Sequence, residues 1–236
     1  MNTTPRIDEI AAGLYRISTP TDVLPGGFTF NTFLLDDDEP LLFHTGYRGL
    51  AASTMEAIAR VLPLERLRWI GGSHFEGDEY GALQELLAAA PHATPFGSAI
   101  GALTSLNDFA GRPARGLADG EQFSTGSRRL EWIYTPHVPH GWDCGVLFDA
   151  SSQTLLCGDL FTQAGGDLPP VTGSEILTAS EAMRGMMDYF AHGASTAPIL
   201  DRLAALSPAL LACQHGSAFR GDGAALLREL KARVQP

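Results

Sequence analysis

The sequence predicts an α/β (α+β) fold of four layers, an αββα sandwich in which two stacked β-sheets lie between two layers of helices. Strand-like runs followed by helical segments occur twice along the chain. Each such element must bury its apolar face against another layer. The 236 residues are 44% hydrophobic, which is enough for a core of this size. Since no Pro-, Gly- or Ser-rich linker divides the chain, we expect residues 1–236 to form a single domain.

The first half of the chain predicts a hairpin followed by alternating helices and strands. Its predicted strands are residues 14–17, 28–30, 32–35, 41–44 and 66–70. The turn at 36–40 contains three aspartates and a proline, which is typical of a hairpin. Helices are expected at 53–62, with Ser53 or Thr54 as the N-cap, and at 78–90, where a proline follows.

The second half repeats this order with more strands. Its predicted strands are residues 94–96, 121–123, 129–134, 144–149, 154–157 and 209–213. Its predicted helices are residues 99–106, 180–192, 196–206 and 223–234. The two strand blocks therefore predict one sheet each, with helices to cover both.

Charge and composition exclude several functions. The net charge of −11 argues against partners that carry phosphate charges, namely nucleic acid and anionic membrane surfaces. The three cysteines, Cys144, Cys157 and Cys213, form no C-x-x-C pair, so their spacing indicates neither a zinc knuckle nor a redox dithiol. We expect reduced thiols in a cytoplasmic protein. The N-terminus lacks the apolar segment of a signal peptide, and no run approaches the roughly 18 apolar residues of a membrane span.

Motifs for nucleotide binding and for serine catalysis are missing from the sequence. It contains no G-x-x-x-x-G-K-[ST] loop and no G-x-G-x-x-G after a predicted strand. It also contains no G-x-S-x-G nucleophile elbow. A nucleotide site and a serine-triad hydrolase are therefore not expected.

The segment 73–79, Ser-His-Phe-Glu-Gly-Asp-Glu, is the most informative part of the sequence. It contains an imidazole and three carboxylates in the order H-x-E-x-D-E, directly after a strand-like run and two glycines. Side chains of this kind on one turn repel one another unless a cation holds them. Three further candidate ligands, His140, Asp159 and His215, each follow an apolar run. Together these residues could hold two metal ions, and a carboxylate-rich set suits iron or manganese better than zinc.

In these motifs the chain resembles the metallo-β-lactamase-fold superfamily, and within it the flavodiiron branch. The resemblance extends to the oxygen-binding diiron proteins, relatives of that branch that lack the flavodoxin domain. Residues 74–79 resemble the branch's H-x-E-x-D-H motif, and His140 to Asp143 resemble its H-x-x-D loop. Gly158-Asp159 and His215-Gly216 match the remaining elements, so that the resemblance covers residues 10–220.

The resemblance implies a metallo-β-lactamase-like fold and a specific set of ligands. His74, Glu76 and His140 would hold one metal, Asp78 and His215 the other, and Asp159 would bridge them. His137 competes with His140, but only His140 fits the H-x-x-D pattern.

Two residues depart from the family pattern. Glu79 replaces a histidine that is common in the family, and His44 replaces a common aspartate. Glu79 either binds or neutralises the metals, or is a solvated residue of the first helical turn. His44 either contacts a metal or supports its ligands.

The function implied is that of a non-haem diiron protein that binds, senses or reduces O₂ or NO. It would be an oxidoreductase of the flavodiiron type or an oxygen sensor, with two iron ions as cofactor and two zinc or manganese ions as alternatives. Electrons would come from a separate flavoprotein or rubredoxin, because no FMN is expected within this chain. The resemblance leaves a homodimer open. The alternative function is a dinuclear zinc hydrolase acting on an ester, lactone or thioester.

Overall fold

The computed structural model describes residues 4–234, which contain two seven-stranded sheets. The strands of sheet A are β1 (Arg6–Ala11), β2 (Leu14–Thr21), β3 (Phe28–Leu35), β4 (Leu41–Phe43), β5 (Trp69–Gly71), β6 (Thr94–Ser98) and β7 (Arg115–Leu117). They lie side by side in chain order. The pairs from β1 to β4 are antiparallel and those from β4 to β7 are parallel.

Sheet B contains the strands of the second half in the order β12-β14-β13-β11-β10-β9-β8. These strands are β8 (Gln122–Ser124), β9 (Arg129–Tyr134), β10 (Gly145–Asp149), β11 (Thr154–Leu156), β12 (Val171–Thr172), β13 (Leu210–Ala212) and β14 (Ala218–Arg220). The pair β11–β13 is parallel, whereas β9–β10 and β10–β11 are antiparallel. Strands β9, β11 and β13 therefore run in the same direction and end at the same edge of the sheet.

Helices connect the strands and cover both sheets. They are α1 (Ala51–Ala59), α2 (Gly77–Tyr80), α3 (Leu83–Ala89), α4 (Ala99–Gly101), α5 (Asn107–Phe109), α6 (Leu177–Met187), α7 (Thr196–Ala205) and α8 (Gly223–Val234). A π-helical turn, Ala102–Leu106, joins α4 to α5, and 3₁₀ turns occupy Arg48–Leu50 and Leu64–Arg66. None of the helices in the described part of the chain has the length and apolar character needed to span a membrane.

Three separate hydrophobic cores establish the four layers. Phe33 of β3 points into the core between the sheets, where it joins Trp132 and Leu147 of sheet B. The next residue, Leu34, points to the opposite side, into the core beneath α1 and α3. A third core lies between sheet B and the helices α6 to α8. Because side chains alternate along a strand, each sheet contributes to two cores, and the predicted αββα sandwich is confirmed.

Several predicted boundaries were wrong for local reasons. Ser53 and Thr54 do not cap α1, because that helix already begins at Ala51 and its N-cap position is Leu50. The predicted strands 28–30 and 32–35 form one continuous strand, β3. The helix predicted at 180–192 begins three residues earlier and ends at Met187, where Asp188 adopts a left-handed conformation. Four strands, β1, β7, β12 and β14, were not predicted.

The helix predicted at 78–90 is divided at Gly81 into α2 and α3. The loop after β4 lies against this position, and the N–H of Ala82 donates to the carbonyl of Gly46 at 3.0 Å. A Cβ atom on Gly81 would lie 3.0 Å from the backbone nitrogen of Arg48 and 3.1 Å from the oxygen of Gly46. The glycine therefore allows the loop after β4 to reach the segment that carries Asp78 and Glu79.

Candidate metal centre

The predicted ligands converge where the carboxyl ends of strands from both sheets meet. On sheet A, the segment 72–79 follows β5, and His44 directly follows β4. On sheet B, His140 lies between β9 and β10, Asp159 follows β11, and His215 follows β13. The parallel strands within each sheet bring these loops to one edge, which is the usual location of sites in sheets of this kind.

The segment after β5 places four ligand-type side chains on one turn. Glu76 is the N-cap of α2, and Asp78 and Glu79 lie in the first turn of that helix. His74 and Glu79 are buried, with 2% and 0% of the side chain exposed, whereas Glu76 is half exposed. The segment therefore extends from the interior to the surface, and its carboxylates lie at different depths.

The loop that carries His140 packs closely against His74. Gly141 has a φ of +78°, and a Cβ atom there would lie 3.1 to 3.3 Å from three atoms of the His74 side chain. Asp143, in the same loop, accepts a hydrogen bond from the N–H of Phe75 at 3.0 Å. Glycine at 141 and the carboxylate at 143 therefore fix the two loops against each other.

A first group of donor atoms surrounds one oxygen of Asp159. His74 Nε2 lies 3.5 Å from Glu76 Oε1 and 3.6 Å from Asp159 Oδ2. His140 Nε2 lies 3.4 Å from Glu76 Oε1 and 3.2 Å from Asp159 Oδ2. These four side chains point at a common volume, and the donor atoms of His74, Glu76 and His140 all lie within 4.8 Å of one another.

A second group surrounds the other oxygen of the same carboxylate. His215 Nε2 lies 3.2 Å from Asp159 Oδ1 and 3.3 Å from Asp78 Oδ2. The side-chain amide of Gln214 also donates to Asp78 Oδ2 at 3.0 Å. Asp159 therefore faces the first group with one oxygen and the second group with the other, which is the geometry of a bridging carboxylate.

Each imidazole is oriented by a contact to its other nitrogen. His140 Nδ1 donates to the carbonyl of Tyr189 and His215 Nδ1 to the carbonyl of Thr29, both at 2.9 Å. In contrast, His74 Nδ1 lies 3.1 Å from a side-chain atom, the hydroxyl of Ser73. These contacts leave all three Nε2 atoms directed at the site, as metal-binding histidines require.

The structure places the two residues that depart from the family pattern inside the protein. Glu79 is fully buried, so its interpretation as a solvated residue is wrong, and its carboxylate lies within 4.8 Å of donor atoms of His74 and Asp159. His44 is also fully buried, and its Nε2 contacts the hydroxyl of Ser73 at 3.1 Å. His44 thus lies behind His74. The side chain of His137 is exposed and belongs to none of these groups.

Sequence reasoning missed the residues that hold the His215 turn. The buried guanidinium of Arg16 donates to the carbonyl of Gly216 at 2.8 Å. The side-chain amide of Asn31 donates to the carbonyls of Gly216 and Cys213, both at 2.9 Å. The only signal in the sequence was the presence of polar residues within apolar strand runs. Burial lowers the pKa of Arg16 to about 10.

The site concentrates charge in a buried volume. Burial alone would lower the pKa values of His140 and His215, but the facing carboxylates of Asp159 and of Glu76 or Asp78 raise both to about 10. The hydrogen bond from His140 is the main reason that the pKa of Glu76 falls to about 2. The carboxylates therefore hold protons on the imidazoles, and a metal must displace these protons in order to bind.

Unpaired buried atoms test whether metal ions fit this donor set. His74 Nε2, Asp159 Oδ1 and both carboxylate oxygens of Glu79 are buried and have no hydrogen-bond partner. Buried polar atoms without partners are costly, and in this position a cation would satisfy all four. Three imidazoles and four carboxylates converge here, which fits two divalent ions with mixed nitrogen and oxygen ligands.

A cavity of about 450 Å³ leads from the surface to this site. His140, His215 and Asp159 lie at its inner end. Its walls and mouth are largely apolar, and they include Val23, Leu24, Phe28, Phe30, Tyr47, Met183, Met187 and Tyr189. A small uncharged molecule could enter along such walls without exchanging polar contacts.

Fold and site together define a candidate dinuclear metal centre at the edge of an αββα sandwich. Residues 28–216 match the sequence profile of the ODP family beta lactamases. The match covers most of the chain, and the protein therefore belongs to this family.

Proteins similar to this chain include flavoproteins and a flavodiiron protein of known structure. The rubredoxin-oxygen oxidoreductase of Megalodesulfovibrio gigas is 26% identical over 206 residues, which are 84% of this chain and 50% of that protein. A type A flavoprotein of Rhodobacter capsulatus is 29% identical over 57% of this chain and 32% of that protein. The flavodiiron protein of Giardia intestinalis superposes with a TM-score of 0.86 at 17% identity, over 97% of this chain and 59% of that structure. The chain thus spans half or less of the length of these two curated relatives.

Proposed function

We propose that this protein is a non-haem diiron protein that binds or reduces a small diatomic gas, O₂ or NO. The observation that carries the proposal is the Asp159 carboxylate, whose two oxygens face two separate groups of histidine and carboxylate donors. The similarity to rubredoxin-oxygen oxidoreductase supports the same reading.

The two groups of donors assign a role to each residue in the proposed centre. His74, Glu76 and His140 would hold one iron, and Asp78 and His215 the other, with Asp159 shared between them. Glu79 lies close enough to both groups to add a ligand or a neutralising charge. His44 would act through Ser73 on the orientation of His74.

Charge balance favours two divalent ions at this site. Glu76, Asp78 and Asp159 contribute three negative charges, and the buried Glu79 contributes a fourth that would balance two iron(II) ions. A neutral centre is preferred in a buried volume. Four carboxylates also favour iron over zinc, because zinc sites in proteins are dominated by cysteine and histidine. For this reason the zinc hydrolase is the alternative function, and the experiment below distinguishes it from the diiron protein.

The apolar side chains around the site would favour entry of a gas over that of a polar substrate. Phe28 stacks on the His215 ring at a centroid distance of 4.4 Å, and Phe30 packs edge-on against the same ring at 5.3 Å. These rings keep water away from His215 while leaving its Nε2 free. Two iron(II) ions, when bound, would each supply one electron to the gas.

Electrons for repeated turnover would come from a separate flavoprotein or rubredoxin-type donor. The M. gigas relative is named for rubredoxin and oxygen, and that protein is about twice as long as the matched segment. We also propose that the protein forms a homodimer and is located in the cytoplasm.

The decisive experiment is metal analysis followed by gas exposure. Protein produced with ample iron should contain about two iron ions per chain, and the anaerobically reduced form should react with O₂ or NO once and then stop without a donor. The His74→Ala variant should lose iron and this reaction, whereas His92→Ala is the matched control. Stoichiometric zinc together with esterase, lactonase or thioesterase turnover would overturn the diiron proposal in favour of the hydrolase.

A further inference from the structure

Cys157 and Cys213 each lie two residues before a residue of the candidate centre but are not among its candidate ligands. Their spacing in the sequence indicated no redox dithiol, yet the fold brings them together across 56 residues. Their Sγ atoms lie 3.8 Å apart, and both residues are fully buried. The third cysteine, Cys144, has no cysteine partner, and its thiol donates to the carbonyl of Val138 at 3.3 Å.

The two cysteines occupy neighbouring positions at the ends of parallel strands. Leu156 of β11 pairs with Ala212 of β13, and the N–H of Cys157 donates to the carbonyl of Ala212 at 3.1 Å, so the pairing extends to the cysteines. Adjacent strands lie about 4.8 Å apart. This spacing lies within the roughly 4.4 to 6.8 Å that separate the Cα atoms of a disulfide. A disulfide could thus form by rotation of the side chains.

Each cysteine is also tied to a different part of the proposed centre. Cys157 precedes Asp159 by two residues, and Cys213 precedes His215 by two residues. Both thiols lie in the core on the helix side of sheet B, together with residues of α6 to α8. The two cysteines therefore connect the bridging carboxylate and a ligand of the second group through very short stretches of backbone.

We propose that Cys157 and Cys213 form a redox-active dithiol that supplies two electrons when this protein reduces O₂. This inference rests on the proposed function above. As the S–S bond forms, the two thiols release two electrons and two protons. Two iron(II) ions release two more electrons on becoming iron(III). With two protons from solvent, these electrons and protons convert one O₂ to two water molecules.

Thiol counting tests this proposal directly. Iron-loaded protein, reduced chemically and freed of reductant, is exposed to one equivalent of O₂, then denatured, alkylated and analysed by mass spectrometry. The number of free thiols should fall from three to one, and a peptide linked through Cys157 and Cys213 should appear. Two iron(II) ions should be oxidised per O₂ consumed.

Single substitutions distinguish the role of the Cys157–Cys213 pair from that of Cys144. Cys144→Ala should still form the link, so that its two free thiols fall to none. Cys213→Ala should keep both of its thiols, and should either oxidise about four iron(II) ions per O₂ or release hydrogen peroxide. If that variant does not fold, the thiol count of the unaltered protein still decides the matter.

A metal-free experiment distinguishes failure of this inference from failure of the proposed function. Prolonged treatment of the metal-free, folded protein with the thiol oxidant diamide should link Cys157 to Cys213. If no link forms, the pair cannot close and the inference is wrong whatever metal the protein binds. If iron is oxidised by O₂ while all three thiols persist, the diiron function stands and the dithiol has no part in it. If no iron binds, the proposed function fails, and with it the role of the dithiol in O₂ reduction.

Discussion

The two sheets contribute to the candidate centre in different ways. Sheet A supplies His74, Glu76, Asp78 and Glu79 from one continuous segment after β5. Sheet B supplies three single residues from three loops, and the longest sequence interval between them separates Asp159 from His215. The contacts that orient the imidazole rings also differ between the two sheets. The two sheet B imidazoles donate to main-chain carbonyls, whereas His74 contacts the hydroxyl of Ser73. The sheet A segment is therefore rich in charge and its histidine is oriented by a side chain, whereas both sheet B histidines are oriented by the backbone.

The largest effect should follow from Asp159→Asn, because this carboxylate is the one that faces both groups of donors. We expect metal content to fall from about two ions per chain to less than half an ion, measured by elemental mass spectrometry. Asp188→Asn, at an exposed position, is the control. Retention of two tightly bound ions would show that the sheet A segment suffices to hold them.

His140→Ala should remove one ion and leave the second group intact. Asp78, His215 and Asp159 keep their positions in this variant, so about one ion per chain should remain. The neighbouring variant His137→Ala should retain both ions, since His137 is exposed and lies outside both groups. The opposite result in the two variants would mean that the ligand in this loop is misassigned.

Ser73→Ala should reveal the dependence of sheet A on side chains. It removes the hydroxyl between His44 and His74, so that the His74 ring loses its orienting contact. Loss of such a partner typically weakens metal binding about 10- to 100-fold. The control is Tyr189→Phe, which keeps the carbonyl that His140 contacts. Competition with a chromophoric chelator measures both affinities, and equal losses would contradict the contrast between the sheets.

The smallest effect should come from Glu79→Gln in the metal-free protein. Burial raises the pKa of Glu79 well above its usual range. The unfolded chain therefore ionises this carboxyl above a pH of about 4 while the folded protein keeps it protonated, so that the group lowers the stability of the fold increasingly as the pH rises. We expect the variant to raise the free energy of unfolding at pH 7 by on the order of 1 kcal/mol, with the gain vanishing as the pH falls towards 4. Urea denaturation between pH 4 and pH 7 measures this change in the free energy of unfolding, and the exposed Glu56→Gln is the control. A loss of stability at pH 7 would refute the argument.

The contrast between the sheet A segment and the separate sheet B residues explains which features of the fold and site the sequence could predict. The fold class followed from strand and helix periodicity, and the segment 73–79 was recognisable because its ligand-type residues are adjacent. Arg16 and Asn31 were missed because their roles depend on contacts with a turn about 180 to 200 residues away. The short strands β7, β12 and β14 have two or three residues each, too few for a periodic pattern. The cysteine pair was missed for the same reason as Arg16, since parallel pairing of β11 with β13 creates it.

The division of the site between two sheets has a consequence for synthesis of the chain. A nascent polypeptide that has emerged only as far as β7 offers a histidine and three carboxylates from the segment after β5, but none of the sheet B ligands. Asp159 becomes available only with β11, and His215 only after β13. Because metal binding and folding are thermodynamically linked, a completed centre would stabilise the docked sheets and not the earlier partial chain. Tight binding of metal at the complete centre would thus occur only after both halves of the protein have been synthesised and have packed together.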